Sequence, residues 1–185
     1  MTRLVPASTA LLVVDVQDRL AAAMPAARME SLTRNTGILL DAAGILGVRV
    51  LASEQYPKGL GHTIAPLAEK LRALGVAPAA KTTFDACGEP EIARPLSAAA
   101  PRSVIVVGME THVCVFQTVR ELVARGYGVH VPIDAVASRT EENRVAGIAL
   151  CERAGAVATT TETVVFDWLE KAGTDAFKAV SKLVK

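Results

Sequence analysis

"SVIVVGMETHVCVFQTVRELVARGYGVHVPID" (residues 103–134) reads as strand, helix and strand in succession. Its opening run, "SVIVVGM", is continuously apolar, whereas a strand with one wet face alternates apolar and polar residues. Such a run fits a strand covered on both faces. Residues 112–125 form the candidate helix, Gly126 marks its end, and "GVHVPID" (128–134) is the returning strand. A β-α-β unit with doubly covered strands belongs in a parallel sheet between two helical layers.

The same pattern extends in both directions. Further strands are read at "ALLVVDV" (10–16), "VRVLAS" (48–53), a short run around Lys81, and "AVATT" (156–160). Helices are expected at 28–46, 63–73, 90–99, 141–154 and 175–184. "ILGVRV", "ALGVAP" and "RAGAVA" each place a glycine between a helix and the next strand, as "ARGYGVH" does. The fold expected is a doubly wound α/β sheet with helices on both faces. With 185 residues and no linker-like stretch, the chain is expected to form one domain over 1–185. "SEQYPKGLGHT" (53–63) breaks the rhythm with Pro57, Gly59 and Gly61, and reads as a loop lining a pocket.

Composition narrows the function classes. Twenty Lys and Arg against nineteen Asp and Glu leave a net charge of +1, which offers no footprint for nucleic acid or an anionic membrane. No apolar run approaches the roughly 20 residues that span a bilayer. The run in "MTRLVPASTALLVVDVQ" is only strand-length and meets Asp15 at once, unlike a signal peptide, so a cytoplasmic protein with a small-molecule partner is expected. Cys87, Cys114 and Cys151 include no CxxC pair, which argues against a disulfide framework or a zinc site. Burial as a small hydrophobe is the default for each of the three.

Open α/β sheets bind ligands at the carboxyl ends of their strands. The first crossover, "DVQDRL", contains no glycine, and no phosphate loop or GxSxG elbow occurs elsewhere. What the strand ends offer instead is Asp15, Lys81 and Cys114. Alone, each has an ordinary structural reading: a helix cap, a solvated lysine, a packed thiol. Together at one sheet edge they suit nucleophilic catalysis. A helix N-terminus and Lys81 are expected to favour the thiolate, and Asp15 to carry the proton to a leaving amine. His112, two residues before Cys114, does not face it on a helix. Among the other histidines, His62 in the glycine-rich loop suits a pocket better than His130 within a strand. Cys87 and Cys151 fit packing. Trp168 and Phe166 read as packing or subunit-contact residues.

"LLVVDVQDRL", "KTTFDAC" and "VIVVGMETHVCVFQTVREL", in this order, resemble the isochorismatase-like cysteine hydrolases from about residue 8 to about 165. "SEQYPKGLGHT" is most similar to the isochorismatase-domain-containing subgroup, whose substrates are unassigned. The resemblance implies a Rossmann-like three-layer sandwich around a six-stranded parallel sheet of order 3-2-1-4-5-6. It implies an Asp15-Lys81-Cys114 triad and a cis peptide between Met109 and Glu110. The N–H groups of Glu110 and Cys114 would then form an oxyanion hole. Gln17, Gln55, Phe84 and His62 are the pocket residues expected. The nicotinamidase branch holds a metal through an Asp and two His near the second strand. Here Ser53, Glu54, Gln55 and His62 stand in that region, so no metal or other cofactor is expected. Isochorismatase cleaves a vinyl ether without the cysteine, so Cys114 points to amide or carbamoyl C–N hydrolysis ahead of ether hydrolysis. A thiol-based sensor or a binding protein with the same pocket is the alternative class. A homo-oligomer, dimer or larger, is expected from the resemblance.

Overall fold

The structure is a computed structural model describing residues 3–184. Seven strands form one sheet: β1 (Thr9–Val14), β2 (Arg49–Gln55), β3 (Ala79–Lys81), β4 (Ser103–Met109), β5 (Gly128–Pro132), β6 (Val136–Ala137) and β7 (Val157–Thr159). Their order is β3-β2-β1-β4-β5-β7, with every pairing parallel. This is the doubly wound order expected, with one addition. β5 pairs β4 only along Ser103–Ile105, and the short β6 takes over as β4's partner at Gly108 and Met109. Two residues are too few to register as a strand in the sequence, yet they brace the end of β4.

Among the described residues, nine α-helices surround the sheet: α1 (Asp18–Ala21), α2 (Ala26–Leu46), α3 (Pro57–Leu60), α4 (Ala65–Ala73), α5 (Pro90–Ala99), α6 (Phe116–Ala124), α7 (Glu141–Arg153), α8 (Thr161–Leu169) and α9 (Asp175–Val180). The central strands explain the three layers. Every residue of β1 and β4 is buried. Their side chains still alternate: Leu11, Val13, Ile105 and Val107 join the core under α2, α4 and α8. Ala10, Leu12, Val104 and Val106 join a second core under α5, α6 and α7. With about 1.5–3 kcal/mol from each buried aliphatic side chain, neither face is stable uncovered. The glycines read as helix stops, Gly47, Gly75, Gly126 and Gly155, all have φ between 69° and 107°.

Two stretches depart from the sequence reading. "SEQYPKGLGHT" is not all loop: β2 continues to Gln55, Tyr56 turns through φ 38°, and α3 forms one helical turn on Pro57. Residues 161–169, given no helix from sequence, form α8, capped by Thr160 Oγ1 accepting from Thr163 N–H. Trp168 on α8 is only 3 % exposed and belongs to this chain's own core, so it is not available as a subunit anchor.

Strand register sets the site. Val14 lies level with Ser53 of β2 and Gly108 of β4, while Gln55 lies level with Lys81. The carboxyl ends of four neighbouring strands therefore open onto one edge.

Candidate active site

Asp15 follows the last residue of β1 with φ 52°, a left-handed conformation that Asp tolerates better than most residues. Its N–H donates to Ser53 O at 3.1 Å and its O accepts from Gln17 N–H at 2.9 Å, so the reversal is fixed at both ends. The carboxylate is fully buried. Ser53 Oγ donates to Oδ1 at 2.7 Å, and Lys81 Nζ lies 2.7 Å from Oδ2. The lysine's directed hydrogen bonds go elsewhere: to Gln55 Oε1, to Thr83 O at 3.0 Å and to Phe84 O at 3.2 Å. Those three acceptors match the three protons of an ammonium. Asp15 Oδ2 is thus held by charge, with no directed hydrogen bond from the described residues.

Cys114 reaches this pair from β4. Met109–Glu110 is a cis peptide, and Thr111–Val115 then form one π-helical turn before α6 begins. Two glycines give this turn its room. At Gly108, φ is 119° and a Cβ would fall 2.0 Å from Val14 O. A Cβ on Gly147 of α7 would fall 2.7 Å from His112 N and Thr111 C. α7 therefore lies directly against the turn that carries Cys114.

The thiol is 6 % exposed, and the Asp15 and Lys81 side chains are the charged groups that act on it. Burial, followed by the Asp15 charge, pushes it up to about 12, against the opposing pull of Lys81. Lys81 favours the thiolate as expected, and burial together with the Asp15 charge outweighs it. The lysine's charge is already balanced by Asp15, and the π turn that carries Cys114 runs directly into α6.

The remaining expected residues divide. Gln55 is part of the site, touching Lys81 through Oε1 and the following loop through Nε2 to Thr82 O at 2.9 Å. Gln17 is not a pocket wall. Its amide is buried and fully engaged, donating to Gln55 O at 3.0 Å and Gly61 O at 2.7 Å while accepting from Gln55 N–H at 2.7 Å. It holds β2's end in place. Phe84 presents its ring to solvent, 52 % exposed, and its carbonyl to Lys81. His62 is largely exposed, with Nδ1 2.9 Å from Glu54 Oε2.

Glu54's other oxygen accepts from Thr63 N–H and Oγ1 at 2.7 and 2.8 Å. Burial acts to raise its carboxyl, and these bonds with that of His62 outweigh it, holding it below the usual carboxylate range. A metal fits poorly here. Both Glu54 oxygens are taken, the Ser53 hydroxyl serves Asp15, and among the described residues no three His, Cys, Asp or Glu side chains converge on one point.

Glu110 accepts from Arg139 N–H and Nε at 3.1 Å each, and His112 Nδ1 lies 3.1 Å from Ser138 Oγ. Ser138 and Arg139 lie outside every motif, and nothing in the motifs that contain Ser53 and Thr118 singles these two out. Strand register brings Ser53 near, the segment after β6 brings Ser138 and Arg139, and α6 brings Thr118. Cys87 and Cys151 are buried thiols pushed up to about 12, first by burial, and neither joins the site. A surface hollow of about 680 Å³ lies at the opposite sheet edge, around Thr9, Arg49 and Gly75, and contains no nucleophile. Beside β3 a smaller hollow, about 340 Å³, is lined by Tyr56, Pro57, Lys81 and Glu89.

Comparison with known proteins bears on the family and the fold. The model of the isochorismatase domain matches residues 9–163. The secreted isochorismatase effector Isc1 of Phytophthora sojae is 36 % identical, covering 99 % of this chain and 87 % of its own. A structure named MAR1 ribonuclease, from Caenorhabditis elegans, is 38 % identical with a TM-score of 0.92, over 99 % of this chain and 92 % of that one. The YcaC gene product of Escherichia coli, described as an octameric hydrolase of unknown specificity, shares the fold. Its TM-score is 0.90 at 19 % identity, over 99 % and 91 % of the two chains. Among the described residues, no helix is long and apolar enough to cross a membrane.

Proposed function

The chain belongs to the isochorismatase family of hydrolases, and on that premise we propose that it is a cysteine hydrolase cleaving the C–N bond of a small amide or carbamoyl compound. The supporting observation is the fully buried Asp15–Lys81 pair at 2.7 Å with the Cys114 thiol beside it. Asp15 Oδ2 lacks a directed hydrogen bond and is the acceptor for the thiol proton as Sγ attacks the substrate carbonyl.

The developing oxyanion is received by the N–H groups of Glu110 and Cys114. Collapse of the tetrahedral intermediate breaks the C–N bond, and the proton on Asp15 passes to the leaving amine. Water then attacks the thioester with Asp15 again taking a proton, which releases the carboxylic acid and restores the thiol. Lys81 stands 2.7 Å from Asp15 Oδ2 and balances the charge that each transfer creates. A thiol raised to about 12 suits this order, in which deprotonation accompanies attack.

The burial of the thiol, 6 % exposed, weighs against a redox sensor, because sensor thiols are accessible. The function is that of a catalyst, cofactor-independent, in a homo-oligomer. The nematode relative's name makes RNA cleavage the competing activity, although a net charge of +1 supplies no basic track for phosphates. A panel of small amides and carbamoyl compounds, with RNA alongside, tests the reading by ammonia or amine release. Release lost in Cys114→Ala and in Asp15→Asn is expected. RNA cleavage lost in Cys114→Ala, with no amide turned over, overturns it.

A further inference from the structure

Lys81 gives two of its three protons to the carbonyls of Thr83 and Phe84. The segment following β3 therefore sets the direction in which the lysine presents its charge. Several ties hold this segment. Glu89 Oε1 accepts from Thr82 N–H and Thr83 Oγ1 at 3.2 and 3.1 Å, on the exposed side. Asp85 Oδ1 accepts from Cys87 N–H at 2.8 Å within the segment itself. Arg125, just past α6, reaches Cys87 O at 3.1 Å.

One tie is fully buried and leads to the nucleophile's own helix: Ala86 N–H donates to Thr118 Oγ1 at 2.9 Å. Ala86 and Thr118 are both at 0 % exposure. Thr118 stands on α6 four residues after Cys114, about one turn further along the same side.

We propose that Thr118 is a positioning residue that couples the Cys114 helix to the Lys81 segment, so that nucleophile and ammonium keep their mutual geometry. The proposal rests on the catalytic reading of Cys114 and Lys81 given above. Replacing the hydroxyl by a methyl leaves a buried N–H at Ala86 without its acceptor. The segment relieves that by moving, the Thr83 and Phe84 carbonyls move with it, and Lys81 follows its acceptors away from Asp15 and Cys114. No substrate contact by Thr118 is involved.

Alkylation of Cys114 by iodoacetamide tests this without a known substrate, using the full chain and mass spectrometry of the Cys114 peptide at pH 8. Thr118→Val and Thr118→Ser are compared, each with Lys81 and in a Lys81→Met background. Thr118→Ala, which also removes the acceptor, is run beside valine in case the valine variant does not fold. Thr118→Val is expected to slow alkylation about tenfold, the factor that one hydrogen bond is worth in a rate. Thr118→Ser, retaining the acceptor, keeps the wild-type rate, and in the Lys81→Met background valine adds nothing further. Unchanged alkylation in Thr118→Val and Thr118→Ala overturns the proposal. Equal slowing with and without Lys81 also does so, because the effect then bypasses the lysine. If Lys81→Met alone leaves alkylation unchanged, the catalytic reading of Lys81 fails first and the role of Thr118 falls with it.

Discussion

Asp15 Oδ2 and Lys81 Nζ stand 2.7 Å apart with neither side chain exposed to solvent. Two buried charges in contact are tolerable only as a pair, and removing one strands the other in a medium that solvates it poorly. Lys81→Met is therefore expected to lower the free energy of unfolding by about 3–5 kcal/mol. Asp15→Asn combined with Lys81→Met removes both charges and loses less than Lys81→Met alone. Urea titration of Lys81→Met, Asp15→Asn and the double variant measures this coupling, and additive losses contradict it.

Among the described residues, Ser53 makes the one directed hydrogen bond to the Asp15 carboxylate, 2.7 Å to Oδ1. Ser53→Ala leaves that oxygen buried without a donor, at about 1–3 kcal/mol of stability. The same bond orients the carboxylate toward the thiol. Once an active amide is identified, kcat is expected to fall about tenfold with KM unchanged, since Ser53 meets the base and not the substrate. A rise in KM alone assigns Ser53 to binding.

The three thiols define an alkaline limit. Each is raised from 9.0 to about 12, in every case first by burial. A raised folded-state pKa favours folding while the thiol is protonated in both states. That contribution is complete below about pH 9 and is lost as pH climbs from 9 toward 12. Thermal unfolding is expected to show a falling Tm across that window, and Cys151→Ala, lacking one of the three groups, falls less steeply. Equal slopes sink the assignment. Alkylation of Cys114 accordingly keeps rising from pH 7 to 10 without a plateau.

Gly147 leaves no room for a side chain, since a Cβ would meet the backbone of Thr111 and His112 at 2.7 Å. Backbone on both sides cannot turn aside as a flexible side chain would. Gly147→Ala is expected to destabilise by about 1–3 kcal/mol and to displace the turn carrying Cys114. At temperatures where the variant is fully folded, alkylation of Cys114 changes while that of a denatured control does not. A native rate in the folded variant contradicts the close approach of α7.

Much of this was legible in the sequence because it depends on local patterns. Continuous apolar runs disclose strands such as β1 and β4, glycines mark helix ends, and residues next to those runs fall at the sheet edge. Asp15, Lys81 and Cys114 are visible for that reason. What escaped depends on distance along the chain. β6 has two residues and exists only because β5 leaves the end of β4 unpaired. Gln17 faces inward because its amide matches backbone groups of Gln55 and Gly61, which no spacing rule foretells. The pKa of Cys114 depends first on burial and then on the Asp15 charge, and the lysine read from the sequence shows neither. Thr118 and Gly147 are ordinary helix residues until the contact of α6 and α7 with the site gives them a role.

Covalent capture on Cys114 tests the central claim most directly. The protein is mixed with a small amide or carbamoyl compound that it turns over, quenched in acid within the first turnovers, and digested for mass spectrometry. The account predicts an acyl group on the Cys114 peptide, lost on longer incubation and never formed in Cys114→Ala. Turnover that persists in Cys114→Ala, with no acyl mass on any peptide of the wild type, contradicts it.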